Sequence, residues 1–239
     1  MKFMYVLLLI CIIEPVQLVM NGELANMLNF KYQAALIVRS ADYEKPGGKR
    51  LHRLAGGAVI IAPRFALTAA HVTLSISVPS HIISRNMTFV RSNCVDRQDP
   101  YTCTDHRVVS IKTHQHYRST GNKYKYDVAV IFVFEPFEGA NETIIPFHTH
   151  PSQTEEIDYG SKGIVSGWGA VDEMVTLMRY LRYAEIKFVP RELWTECLKE
   201  VTSDENLFLC AYTNETDACT GDSGGPLVGK NKRGRTVLI

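Results

Sequence analysis

Charge of one sign is what this sequence most plainly lacks. Its 239 residues carry 26 Lys and Arg against 25 Asp and Glu, a net charge of +1. That balance offers no electrostatic pull on a polyanion, so nucleic acid is not an expected partner. The one dense basic run, Lys230, Lys232, Arg233 and Arg235, reads as a solvated turn. Long apolar runs are missing as well. Tyr5–Ile13, after Lys2, is too short to cross a bilayer and sits where the apolar part of a signal peptide sits. No later stretch could span a membrane. Repeated metal-ligand spacing is also absent. His106, His114 and His116 lie near one another in sequence and read as solvated loop histidines rather than a metal site.

Apolar residues make up 46% of the chain, enough for a core. A chain this long folds as one or two units, and all-β barrels reach this length as one. Short apolar strands are predicted at Ala34–Val38, Gly57–Ala62, Phe65–Ala70, Ile82–Val90, Arg107–Lys112, Val128–Phe134, Gly163–Trp168, Arg182–Val189 and Leu207–Ala211. Turn signals such as Pro46-Gly47-Gly48 and Pro63-Arg64 separate them. A short helix is expected to begin at Pro190–Trp194 and lead to Cys197. The pattern points to an all-β barrel or sandwich. Asn86-Met87-Thr88, Asn141-Glu142-Thr143 and Asn214-Glu215-Thr216 are glycosylation sequons, usable only on a secretory route.

The chemistry is concentrated in Asp217-Ala218-Cys219-Thr220-Gly221-Asp222-Ser223-Gly224-Gly225-Pro226-Leu227. Glycines beside a serine allow a tight turn that bares backbone amides. Bare amides next to a hydroxyl make an oxyanion hole beside a nucleophile. A serine hydroxyl needs a base, and the base needs an orienting carboxylate. Thr68-Ala69-Ala70-His71 and Asp127-Val128-Ala129-Val130 supply both, in the order His71, Asp127, Ser223.

Gly-Asp-Ser-Gly-Gly-Pro-Leu at 221–227, Thr-Ala-Ala-His at 68–71, Asp-Val-Ala-Val at 127–130 and Ser-Gly-Trp-Gly at 166–169 together resemble the trypsin/chymotrypsin family of serine endopeptidases. The resemblance runs from about Val19 to the last residue. It implies an all-β, two-barrel trypsin-like fold. The leader would be residues 1–18 and the peptidase domain 19–239. The first barrel would span about 19–134, and the second, incomplete, about 152–239. By the same resemblance Ser223 attacks the scissile carbonyl, His71 takes its proton and Asp127 holds the imidazole. The amides of Gly221 and Ser223 would hold the oxyanion. Asp217 would sit at the base of a pocket for Arg or Lys, with Ala218 tilting the preference toward Arg. A freed Val19 amine would pair with Asp222. Cys94–Cys103 would close a local loop, and Cys197–Cys210 would match a family bridge. No cofactor and no metal are implied. The expected partners are protein or peptide substrates and protein inhibitors of proteases. The chain is expected to be secreted and monomeric, with no membrane partner.

Departures from the family pattern accompany these matches. Leu18, not Arg or Lys, precedes Val19. Two family bridges lack both cysteines, at Ala55 and Val72 and at Gly163 and Gly229, and Cys219 has no partner in the chain. The sequence stops at Ile239, before the Ser-Trp-Gly strand and pocket wall that the family carries. The alternative expectation is therefore an inactive secreted binding or regulatory module on the same scaffold.

Overall fold

The computed structural model describes residues 22–39, 52–74, 87–120, 123–147, 162–170, 177–194, 209–212 and 221–239. The leader, Val19, Pro46–Gly48, Asn86, Cys197, Asn214, Asp217 and Cys219 lie outside the described residues.

β1 (Glu23–Leu24) is followed by a single 3-10 turn at Met27–Asn29. Asn26 opens that turn by accepting the Leu28 N–H at 3.1 Å. Then come β2 (Gln33–Arg39), β3 (His52–Ala62) and β4 (Phe65–Thr68), paired antiparallel in succession, with Pro63-Arg64 turning the last two. A short helix α1 (Ala70–Leu74) follows. Next are β5 (Thr88–Ser92) and β6 (Thr104–Thr113). β7 (Arg118–Thr120) and β8 (Lys123–Lys125) form a separate hairpin before β9 (Ala129–Val133). The six strands β2-β3-β4-β9-β6-β5 close into a barrel, because β5 pairs back onto β2.

The second sheet is built from β10 (Lys162–Gly167), β11 (Arg182–Phe188), β12 (Ala211–Tyr212), β13 (Leu227–Lys230) and β14 (Thr236–Leu238). Its order is β1-β11-β10-β13-β14, with β12 on β11, so β1 belongs to this sheet and not to the barrel.

Alternation sets what faces the barrel core. In β9, Ala129, Ile131 and Val133 point inward, as a period of two requires. β2 instead reads as one unbroken apolar run, because both of its faces are covered. Leu36 and Val38 fill the barrel, while Ala35 and Ile37 pack with Leu54, Trp168 and Leu181 on the other side. Between the halves the Ser166 hydroxyl donates to the buried Gln33 Oε1 at 2.6 Å.

Several expected boundaries move. The strand ahead of His71 ends at Thr68, and His71 rides on α1. The Asp127 carboxylate explains the change, since it accepts the His71 N–H at 2.8 Å and a bond from the Ala70 amide. A carboxylate on the first amides turns the chain into a helix there. β5 begins only at Thr88, and residues 75–86 lie outside the described residues. At the expected helix start, Arg191–Leu193 form a 3-10 turn and Trp194 is helical, while residues 195–208 lie outside the described residues.

His106 is not a solvated loop residue. β6 starts at Thr104 rather than Arg107, which places His106 on the inward face with Val108. Its Nε2 lies 2.8 Å from Glu142 Oε1, its Nδ1 lies 3.0 Å from the Glu135 carbonyl, and its ring packs on Phe137. Burial alone would raise the Glu142 carboxyl. Hydrogen bonds from His106, Ser92 and the Gly139 amide hold it below its ordinary value. His114 and His116 do lie at the surface, beside Tyr126. So does the basic run, whose residues 232–235 form the exposed turn of the β13–β14 hairpin.

The two missing bridges are replaced by apolar packing. A Cβ on Gly163 would stand 2.6 Å from Phe188 Cζ, and one on Gly229 3.2 Å from the same ring. The Phe188 ring therefore fills the gap that a bridge between these positions would span. Val72 is buried in the barrel cluster, with Ala55 packed against it. Phe188→Ala is expected to cost about 3–5 kcal/mol through the cavity it leaves. A urea-unfolding midpoint unchanged from the parent chain would refute this packing role.

Candidate active site

The site forms where a loop from the second sheet lies on the first barrel. Residues 221–224 make a tight turn, and Gly221 takes φ +101°, a left-handed value that disfavours any side chain. The Ser223 carbonyl accepts the Gly57 N–H of β3 at 2.8 Å. A Cβ on Gly57 would stand 2.6 Å from the Gly225 N and Cα, and one on Gly56 would stand 2.6 Å from the Ser223 carbonyl oxygen. Two glycines inside an apolar strand are what let the loop touch the strand backbone. The contact holds Ser223 half-buried beside α1, since the Gly56 position also lies against Val72.

On α1, His71 presents Nδ1 to Asp127 Oδ2 at 3.1 Å. Asp127 precedes β9 and is nearly buried, its side chain 4% exposed. The structure thus brings His71, Asp127 and the loop of Ser223 and Gly221 to one side of the barrel. Asp222 turns away from this group toward the second sheet. Its Oδ1 accepts the Gly169 N–H at 2.7 Å. Val19 and Asp217 fall outside the described residues. Cys94–Cys103 is a disulfide, and Cys210 is disulfide-bonded, while its expected partner Cys197 falls outside the described residues.

Burial governs the charges. It pulls the His71 imidazole down to about 4. It pushes the Asp127 carboxyl up to about 6, against the opposing bonds from the His71 and Ala70 amides. Near pH 7 both values leave the imidazole neutral and the carboxylate ionised. The Nδ1–H then points at Asp127, and Nε2 keeps a lone pair. Such a ring can take a proton from a neighbouring hydroxyl.

Comparison with known proteins decides the family. The model of the family described as Trypsin matches residues 19–238. The chain belongs to the trypsin family of serine proteases. Among similar proteins, phenoloxidase-activating factor 2 of Galleria mellonella is 28% identical over 222 residues, covering 87% of this chain and 68% of that protein. Coagulation factor IX of Oryctolagus cuniculus is 28% identical over 215 residues, covering 88% and 69%. Vitamin K-dependent protein C of Mus musculus is 27% identical over 224 residues, covering 90% of this chain but 44% of that protein.

Three contributors to the site lie outside the motifs. The Gly56-Gly57 pair straddles the expected strand start at Gly57, and paired glycines in an apolar run signal a close backbone approach. Asp127 also caps α1, which no local pattern links to a residue 56 positions away. Leu177 places Cδ2 2.7 Å from where a Gly221 Cβ would be, a contact across sequence that only the fold reveals.

Two measurements check the site. The His71 ring resonances should titrate with a midpoint near 4, and a midpoint at or above the ordinary 6.5 would contradict burial control. The sign for stability follows. A histidine lowered from 6.5 to about 4 loses stability as pH falls across that window. Asp127, raised to about 6, acts in the opposite sense, so the pair leaves little net pH dependence between 4 and 6. Gly57→Ala should cost about 1–3 kcal/mol by forcing the loop off β3. A melting temperature equal to the parent's would show that the loop does not need the glycine.

Proposed function

We propose that this chain is a secreted serine endopeptidase that cuts peptide bonds after Arg or Lys. The observation that carries the reading is the His71 Nδ1–Asp127 Oδ2 contact at 3.1 Å, beside a Gly221–Ser223 turn held on β3. In the proposed reaction the Ser223 Oγ attacks the scissile carbonyl carbon as His71 Nε2 takes its proton. The carbonyl oxygen becomes an oxyanion, held by the Gly221 and Ser223 amides. Collapse breaks the C–N bond, and His71 returns the proton to the leaving amine. Water then attacks the acyl-serine by the same route and releases the acid. Asp127 fixes the imidazole tautomer and stabilises the imidazolium.

Asp217 is the proposed partner for the substrate's basic side chain, and Val19 the proposed amine for Asp222. Support for the second assignment is that Asp222 already turns toward Gly169, away from Ser223. The short apolar leader and the three sequons support secretion. Among the described residues no helix is long and apolar enough to cross a membrane. Protein substrates and protein inhibitors of proteases are the proposed partners of a monomeric chain.

Hydrolysis of an Arg-ending peptide amide tests the reading. Ser223→Ala should lower kcat by about 10⁶-fold. Asp217→Asn should cost about 2–5 kcal/mol in kcat/KM for Arg substrates while sparing neutral ones. The acid limb of kcat/KM should fall near pH 6, where the Asp127 carboxylate gains its proton, and it belongs to the His71–Asp127 pair jointly. A folded chain that hydrolyses no amide substrate, or whose hydrolysis survives Ser223→Ala, would replace this reading with a binding module on the same scaffold.

A further inference from the structure

The Cys94–Cys103 loop lies between β5 and β6, on the barrel that carries His71, yet Val95, Asp96 and Arg97 bond across to Trp168 and to residues 178–181, which lead into β11. The Val95 carbonyl accepts both the Leu181 N–H at 2.8 Å and the Trp168 Nε1–H at 2.8 Å. Asp96 bridges antiparallel to Tyr180. The Arg97 N–H donates to the Arg179 carbonyl at 3.0 Å, and its Nε donates to the Met178 carbonyl at 2.7 Å. Outside this backbone ladder, Arg179 clasps Asp96, with Nη2 2.7 Å from Oδ2.

The loop is itself anchored. Arg91 donates to the Arg97 carbonyl at 2.8 Å and binds Asp105 through two bonds, at 2.6 and 2.7 Å. The disulfide closes its neck. What it grips leads directly to the proposed oxyanion amides. The Met178 N–H reaches the Trp168 and Gly169 carbonyls at 3.1 and 3.2 Å. Gly221 has no room for a Cβ, which would stand 2.7 Å from Leu177 Cδ2 and 3.1 Å from Gly169 Cα. Gly169 also supplies the amide that holds Asp222.

We propose that the Cys94–Cys103 loop is a positioning element for the oxyanion turn, in which Arg97 and the Asp96–Arg179 pair hold residues 177–181 so that Leu177 and Gly169 pack against Gly221. The proposal rests on the peptidase reading for its effect on rate, but the packing it describes stands or falls separately. Arg97 and Arg179 touch no substrate. They act on the amide of Gly221 through the segment between. An oxyanion donor is sensitive to such support, because a misplacement of about 1 Å can cost about 10²-fold in rate.

The test uses the full chain with Arg179→Ala, Arg179→Lys and Arg97→Met. Arg179 is half-exposed, so its variants keep the fold even if the buried Arg97 variant does not. Two readouts are taken. One is kcat and KM on an Arg-ending amide. The other is amide hydrogen exchange at Gly169 and residues 221–223. Arg179→Ala and Arg97→Met should lower kcat roughly tenfold with KM within about twofold, short of that full misplacement. Exchange at 221–223 should quicken, and Arg179→Lys should restore both. Unchanged exchange at 221–223 in Arg179→Ala overturns the proposal, whatever happens to rate or melting temperature. Faster exchange in Arg179→Ala, where the parent chain itself hydrolyses no amide substrate, upholds the positioning role and overturns the peptidase reading alone.

Discussion

The bond from the Gly57 N–H to the Ser223 carbonyl is the constraint on which the rest of the site depends. It ties a turn from one sheet to the backbone of a strand in the other. It exists only because Gly56 and Gly57 present no side chain where the turn lies. From that contact the remaining geometry follows in short steps. Gly57 sits on β3, β3 pairs with β4, and β4 leads into α1 with His71. β4 also pairs with β9, which Asp127 precedes, so the acid reaches the helix that carries the imidazole. A single pairing order therefore brings together three residues far apart in sequence.

The electrostatics grow from the same burial. Asp127 does two jobs with one carboxylate, capping α1 through Oδ1 and orienting the imidazole through Oδ2. Taking both groups out of water favours their neutral forms, which lowers the histidine and raises the aspartic acid. The buried His106–Glu142 pair on the far side of the barrel follows a different rule. There a full set of donors around the carboxylate overrides desolvation. Both pairs are histidine with a carboxylate, but at Glu142 the bonds from His106, Ser92 and the Gly139 amide outweigh desolvation, whereas at Asp127 the bonds from the His71 and Ala70 amides do not.

Much of this was legible in the sequence. The all-β character came from short apolar runs between turn residues, and His71, Asp127 and Ser223 each stood in a distinctive string. The family resemblance extended to the whole domain, and the Trypsin match bears it out. What escaped was non-local. β1 looks like the start of the first barrel but pairs with β11, because two residues carry too little pattern to name a partner. His106 looked like a loop histidine because β6 starts three residues earlier than its apolar content announces. The unbroken apolar run of β2 gave no hint that one face serves the barrel and the other the second sheet. The ring of Phe188 standing between Gly163 and Gly229 explains how the fold does without a bridge there, a substitution of packing for covalent closure that spacing alone could not disclose.

The central claim is that Ser223 is a nucleophile activated by His71. Intact-mass measurement of the folded chain after exposure to a fluorophosphonate, which reacts with activated serines, tests it most directly. The account predicts one covalent adduct, mapped to Ser223 and absent from His71→Ala. A folded chain that takes up no adduct, or takes it up equally without His71, would contradict it.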